Sequence, residues 1–215
     1  RTVYEDAALA VLGAVPIVAA SRPTVVGIAG PPGSGKTTLA RAITAAARDA
    51  VAVPMDGFHL SNRQLARQGL ADVKGSPPTF DRAGLIAALR RLGSGDPVYF
   101  PDFDHALHEP VAAAIRVDPE TPLVVVEGNY LLLDRSGWRD VSGLLDLRVF
   151  LEVPWPMCRE RLIARHIQAG KSPAEAEAWV DRSDHANYEL IRAARVTPDV
   201  LIRQDIQGSR VSLNA

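Results

Sequence analysis

The 215-residue chain carries 24 lysines and arginines against 25 aspartates and glutamates, a formal net charge of −1 at pH 7. That balance lacks the basic footprint of a nucleic-acid binder. The single cysteine, Cys158, excludes an intrachain disulfide, and without a CxxC pair no Cys/His zinc site is expected. Residues 1–215 read as one domain, long enough to bury its core without a disulfide or metal staple. The cysteine usage suits a reducing, cytoplasmic compartment.

Ala7 to Ala20 is almost wholly apolar, but Glu5 and Asp6 stand where a secretory signal would carry positive charge. Gly13 and Pro16 interrupt the stretch, and it is too short to span a bilayer, so it reads as a packed helix and no membrane partner is expected. Thr24 to Ala29 (TVVGIA) is a short β-branched run, a buried strand. Lys36 to Arg48 places Leu39, Ala42, Ile43 and Ala46 at helical spacing, and Ala50 to Met55 returns to strand. Leu85, Ile86, Leu89 and Leu92 predict a helix over Asp81 to Leu92. Leu123 to Val126 and Leu147 to Val153 are two further strands; Met157 to Gln168 is a helix. A polar helix runs from Pro173 towards Ala194, and Asp199 to Arg203 closes the sheet. Alternating strand and helix predict an α/β fold, a three-layer α/β/α sandwich around a five-stranded, mainly parallel sheet. Leu60 to Pro78 and Asp96 to Pro119, rich in Gly, Pro, Asp and His, fall in the connections that carry ligand chemistry in such sheets.

Gly30-Pro31-Pro32-Gly33-Ser34-Gly35-Lys36-Thr37, followed by Thr38, fits the P-loop pattern G-x-x-x-x-G-K-[ST] at every fixed position. A strand precedes it and an amphipathic helix follows. The glycines let successive N–H groups wrap a phosphate, and the helix N-terminus adds unpaired N–H groups. Lys36 supplies a cation for the outer phosphates and the Thr37 hydroxyl suits Mg²⁺, so ATP and Mg²⁺ are the expected cofactors. The guanine motif N-K-x-D is absent, which disfavours a GTPase switch.

Two carboxylates end strands. Asp56, in Met55-Asp56-Gly57-Phe58-His59, falls where phosphoryl transfer needs a group to orient or deprotonate an acceptor hydroxyl; a helix cap or turn is the alternative. Glu127 follows four apolar residues, so it needs a cation: Mg²⁺, or alternatively an arginine.

The segments GPPGSGKTT, VPMDGFH, VVVEGNYLLL and LRVFLEV, in this order, resemble the superfamily of uridine kinases, phosphoribulokinases and bacterial pantothenate kinases. The chain looks closest to the nucleoside/nucleotide kinase or "fructose transport system kinase"-like branch. The resemblance spans Thr24 to Arg203 and implies a kinase acting on a small hydroxyl-bearing acceptor, with a homodimer as an open alternative. It makes Asp56 the catalytic base alongside Lys36 and Glu127. It implies acceptor-binding insertions at about 57–80 and 96–119, the second with a hairpin at Phe100-Pro101-Asp102-Phe103-Asp104-His105 that packs over the acceptor, and puts His59, Asp81, Phe103, His105, His108 and Asn129 toward the acceptor. Asp81 is equally the N-cap of its helix. Uridine kinases carry a tyrosine and a phenylalanine where this chain has Phe103 and His105, so uridine is not the expected acceptor. The resemblance also implies a lid at about 159–188. Arg159, Arg161 and Arg165 lie on one predicted helix there, Arg161 and Arg165 share a face, and Arg165 is the favoured phosphate ligand, with a solvated arginine face as the alternative. A nucleotide-binding regulatory protein without kinase turnover is the rival reading.

Overall fold

The computed structural model describes residues 2–18, 21–135, 137–204 and 212–214. Its main sheet runs, in spatial order, β2 (Ala50–Pro54), β5 (Leu123–Gly128), β1 (Thr24–Ala29), β6 (Leu147–Glu152), β7 (Val200–Arg203) and β8 (Ser212–Asn214). The first five are parallel, as expected from the alternation of strand and helix. β8 adds a short antiparallel edge, which has no apolar run long enough to mark it in the sequence.

Side chains on each strand alternate between two cores. Val25, Ala29, Val124 and Val126 face α4 (Arg82–Arg91) and α5 (Arg139–Ser142), with Leu85, Leu89 and Val141 beneath them. Val26, Ile28, Val125 and Val149 face α1 (Val3–Ala14), α2 (Lys36–Ala46) and α6 (Trp155–Gln168), meeting Val11, Ile43 and Leu162. The result is the expected three-layer sandwich.

Two elements differ from their predicted form. α1 begins at Val3, not Ala7, because Thr2 and Glu5 form a capping box, and Val15 before Pro16 is extended. Ala19 and Ala20 lie outside the described residues. The stretch from Pro173 is not one helix: α7 (Pro173–Trp179) and α8 (His185–Ala193) flank one π-helical turn at Val180–Asp184. The second irregular stretch is a hairpin, β3 (Val98–Asp104) with β4 (Glu109–Val117), whose register shifts across Pro101, where no N–H is available. The first holds α3 (Asn62–Arg67) and short 3₁₀ turns. Among the described residues no helix is long and apolar enough to cross a membrane.

Candidate active site

Between β1 and α2 the chain turns sharply. Gly33 sits at φ 76°, and a Cβ there would come within 2.7 Å of the Cys158 carbonyl oxygen. Only glycine lets α6 close against the loop this way. α2 is capped by Gly35, with no side-chain hydrogen bond, so no protein side chain occupies the amides of its first turn. The Ser34 hydroxyl is buried in the loop without a partner. A helix start without a side-chain cap, a glycine cradle and an orphaned hydroxyl fit a bound triphosphate.

Parallel register brings the strand ends together. Glu127 lies beside Ile28 on one side and Pro54 on the other. Gly30 is two residues beyond the first partner and Asp56 two beyond the second, so one sheet edge carries all three. The chain leaves β2 into a 3₁₀ turn, Met55–Phe58, that holds Asp56. The β3–β4 hairpin presses on this turn so closely that a Cβ on Gly57 would overlap the Pro101 carbonyl.

Lys36 is buried and its Nζ donates to the Pro31 carbonyl oxygen at 2.9 Å. Burial pushes its pKa down, against the nearby charges of Glu127 and Asp56. Glu127 is also buried, and that burial raises its pKa while Lys36 opposes the rise. Its Oε1 accepts the Thr37 hydroxyl at 2.8 Å. No arginine lies within ion-pair distance of Glu127 among the described residues, so the arginine alternative is not realised. A hydroxyl and a carboxylate make a hard, oxygen-only donor set, which fits Mg²⁺ and leaves room for phosphate oxygens and water as further ligands.

Three cavities open along this edge. One of about 270 Å³ is lined by Pro32, Gly33, Gly35, Lys36, Thr37 and Thr38, with Glu127, Asn129, Arg161 and Arg165 opposite. Gly30, Pro31 and Ser34, of the same loop, are buried. A second of about 250 Å³ holds Thr37, Arg41, Asp102, Phe103, His105 and Glu127. The largest, about 490 Å³, is walled by His59, Phe80, Phe103, His108 and Asn129, and by Arg165, Trp179 and Asp184 from the segment 159–188. Asp56 alone among the described residues lines all three.

His59 is gripped between Phe80 and Phe103, with ring centroids 4.0 and 5.0 Å away. Its Nδ1 lies 2.8 Å from the Asp56 carbonyl oxygen. A carbonyl only accepts, so Nδ1 carries the proton and the neutral ring keeps Nε2 as an acceptor. Burial holds the His59 pKa below its ordinary 6.5. The unfolded chain therefore binds this proton more readily. The stability His59 contributes is present above pH 6.5 and is lost as pH falls through the folded-state value. Glu127, with its raised pKa, acts in the opposite direction. Hence the melting temperature of wild type should drop more steeply between pH 7.5 and 5.5 than that of His59→Asn; parallel curves would refute the assignment.

Not every expected residue converges. Asp81 is exposed, caps α4 by accepting the Gly84 N–H at 2.8 Å, and lines none of the three cavities; the helix's need for a cap claims it. His105 joins the 250 Å³ cavity, not the larger one with His59 and His108. Arg159 is held by Asp181 through two bonds of 2.7 and 2.8 Å. Arg161 donates to the Gly33 carbonyl oxygen at 3.2 Å, while Arg165, one turn on, makes no hydrogen bond or ion pair among the described residues and faces two cavities. The structure adds walls that sequence reasoning passed over: Lys74, Lys171, His166 and Trp179. The rarity of lysine was a signal for the first two.

A family model described as the phosphoribulokinase / uridine kinase family matches residues 25–204. The "Uncharacterized protein YggC" of Escherichia coli (strain K12) is 39% identical over 206 residues, covering 93% of this chain and 86% of that protein. The "Putative uridine kinase C227.14" of Schizosaccharomyces pombe is 35% identical over 206 residues, covering 89% and 87%. The solved structure of a "putative fructose transport system kinase" from Silicibacter sp. TM1040 superposes with a TM-score of 0.84 at 37% identity, covering 95% of this chain and 100% of that one.

Proposed function

Because the chain belongs to the phosphoribulokinase / uridine kinase family of P-loop kinases, we propose that it transfers the γ-phosphate of ATP to a hydroxyl group of a small metabolite in the nucleoside, sugar or pantothenate-like range. The observation that carries this reading is the position of Asp56, the one described side chain common to the phosphate-loop cavity, the cavity beside Glu127 and the large cavity. A carboxylate at that junction can meet a hydroxyl entering from the large cavity on its way to a phosphate held by the loop.

The geometry supports the following roles. Backbone N–H groups of Gly33 to Thr37, with the Lys36 ammonium, hold the phosphates. Thr37 and Glu127 would hold Mg²⁺, which when bound supplies charge neutralisation at the phosphate oxygens. Asp56 orients the acceptor hydroxyl and takes its proton. Arg165 balances the charge that spreads over the transferring group, and residues 159–188 act as a lid that keeps water out. His59, Phe103, His108 and Asn129 form the acceptor wall, with His105 at its margin.

The test is a panel of nucleosides, pentoses, hexoses, polyols and pantothenate, read as acceptor-dependent ADP release in the presence of Mg²⁺ and ATP. Stimulation by at least one class is expected. ADP release that no acceptor raises, from protein that binds ATP, would transfer the weight to a nucleotide-binding regulatory protein without kinase turnover.

A further inference from the structure

Lysine is nearly absent from this chain: of 24 basic residues only Lys36, Lys74 and Lys171 are lysines, and the rest are arginines. All three line the cleft. Lys36 lies in the phosphate-loop cavity, and Lys74 and Lys171 in the 490 Å³ cavity. Arginine serves every other basic position, including Arg161 and Arg165 in the cleft. The only compact ammonium groups on flexible stems in the chain are thus all in the cleft, where each acts as a point charge and not as a planar fork.

Lys74 follows the 3₁₀ turn Ala71–Val73. Its Nζ donates to Asn62 Oδ1 at 2.6 Å and to the His108 carbonyl oxygen at 2.8 Å, and it lies 5.2 Å from the centre of the Phe103 ring. All of these partners are neutral. The nearest charge of opposite sign, Glu109, is occupied by the Asn62 N–H, which both its oxygens accept at 3.1 and 3.0 Å. Partial burial pushes the Lys74 pKa down, with Glu109 opposing. An ammonium carries three protons, and only two are used here. Lys171 comes from the other side of the sequence, between α6 and α7. It lies 5.1 Å from the centre of the Trp179 ring and its side chain makes no hydrogen bond among the described residues. No carboxylate lies within ion-pair distance of either Nζ among the described residues.

Asp184 meets His166 Nε2 at 3.0 Å, and Asp56 stands at the junction with the phosphate loop. Two ammonium groups on the walls of one cavity, neither in ion-pair contact with a carboxylate among the described residues, leave charged donors that an anionic ligand would fill.

We propose that the phosphate acceptor itself carries an anionic group, a carboxylate or a phosphate ester, held by Lys74 and Lys171 while its hydroxyl meets Asp56. This inference rests on the acceptor reading of the large cavity given above.

Matched pairs separate charge from shape: pantothenate against pantothenol and glycerate against glycerol for the carboxylate, ribose 5-phosphate against ribose for the phosphate ester. Each is assayed by ADP release with Mg²⁺ and ATP. For a pair that is turned over, kcat/KM of the anionic member should exceed that of the neutral one by about 10- to 100-fold, the scale of a hydrogen bond to a charged group. Lys74→Met should erase most of that ratio, and Lys74→Arg should keep more of it. Because Lys74 also ties Asn62 to His108, Lys171→Met is the second variant, and it should shrink the ratio in the same direction. Equal rates within the pairs, or a ratio unmoved by both Met variants, overturns the inference while leaving the kinase reading intact.

If no pair is turned over, the kinase reading fails for these acceptors, and binding decides the role of the lysines. With ADP present, the anionic members and inorganic phosphate should raise the wild-type melting temperature more than the neutral members do, and the Met variants should lose the difference. Stabilisation without regard to charge overturns the inference.

Discussion

Asp56→Asn is expected to lower kcat by about 10²–10⁴-fold on the true acceptor, the range for losing a positioned general base. The substitution keeps the shape of the side chain but leaves a group that cannot take a proton. It also spares the local fold. The 3₁₀ turn Met55–Phe58 and the bond to His59 Nδ1 use the Asp56 backbone, not its carboxylate. Nucleotide affinity should survive, because Lys36, the glycine cradle and the start of α2 are untouched. A loss confined to kcat, with the nucleotide dissociation constant retained, marks an interaction made in the transition state. Near wild-type turnover by Asp56→Asn would remove Asp56 from the mechanism.

Lys36→Met should fail differently. The ammonium is buried and sits on the floor side of the phosphate cavity, so its loss should lower kcat/KM for ATP by on the order of 10²–10³-fold, the scale seen when one preorganised donor to a developing charge is removed. Methionine matches the length of the stem and needs no solvation, whereas the buried ammonium does; the empty variant should therefore stay folded. The two variants are told apart by ATP-induced stabilisation in a melting assay. Asp56→Asn should keep it and Lys36→Met should lose most of it. Undiminished stabilisation in Lys36→Met would mean that the backbone amides alone hold the phosphates.

Much of the fold was legible because its signals are local. β1 forms over the six residues of TVVGIA, whose short length, β-branched content and flanking Pro23 and Gly30 favour a buried strand over a helix. The phosphate loop was legible for the same reason: eight consecutive residues specify both the turn and its chemistry. Other features needed partners distant in sequence. The start of α1 turned on a two-residue capping box outside the apolar pattern. The break at Val180–Asp184 is accompanied by the bonds of Arg159 to Asp181 and His166 to Asp184, across the turn between α6 and α7. Asp81 fitted two roles in the sequence, and α4 uses it in one of them, as the cap that accepts the Gly84 N–H.

By itself the sequence determined the order of the elements, the α/β class, the phosphate loop and the two strand-end carboxylates. Each of these is written within a window of ten or so residues, where side-chain periodicity and backbone preference act directly. Only the tertiary structure decided what meets what. The register of β2, β5 and β1 set Asp56, Glu127 and Gly30 on one edge. The packing of the hairpin on Gly57 brought Phe103 against His59. The fold also carried Lys74 and Lys171, 97 positions apart, into the same cavity. Such convergence depends on how strands pair and layers pack, and those contacts span separations over which neighbouring residues hold no information about one another.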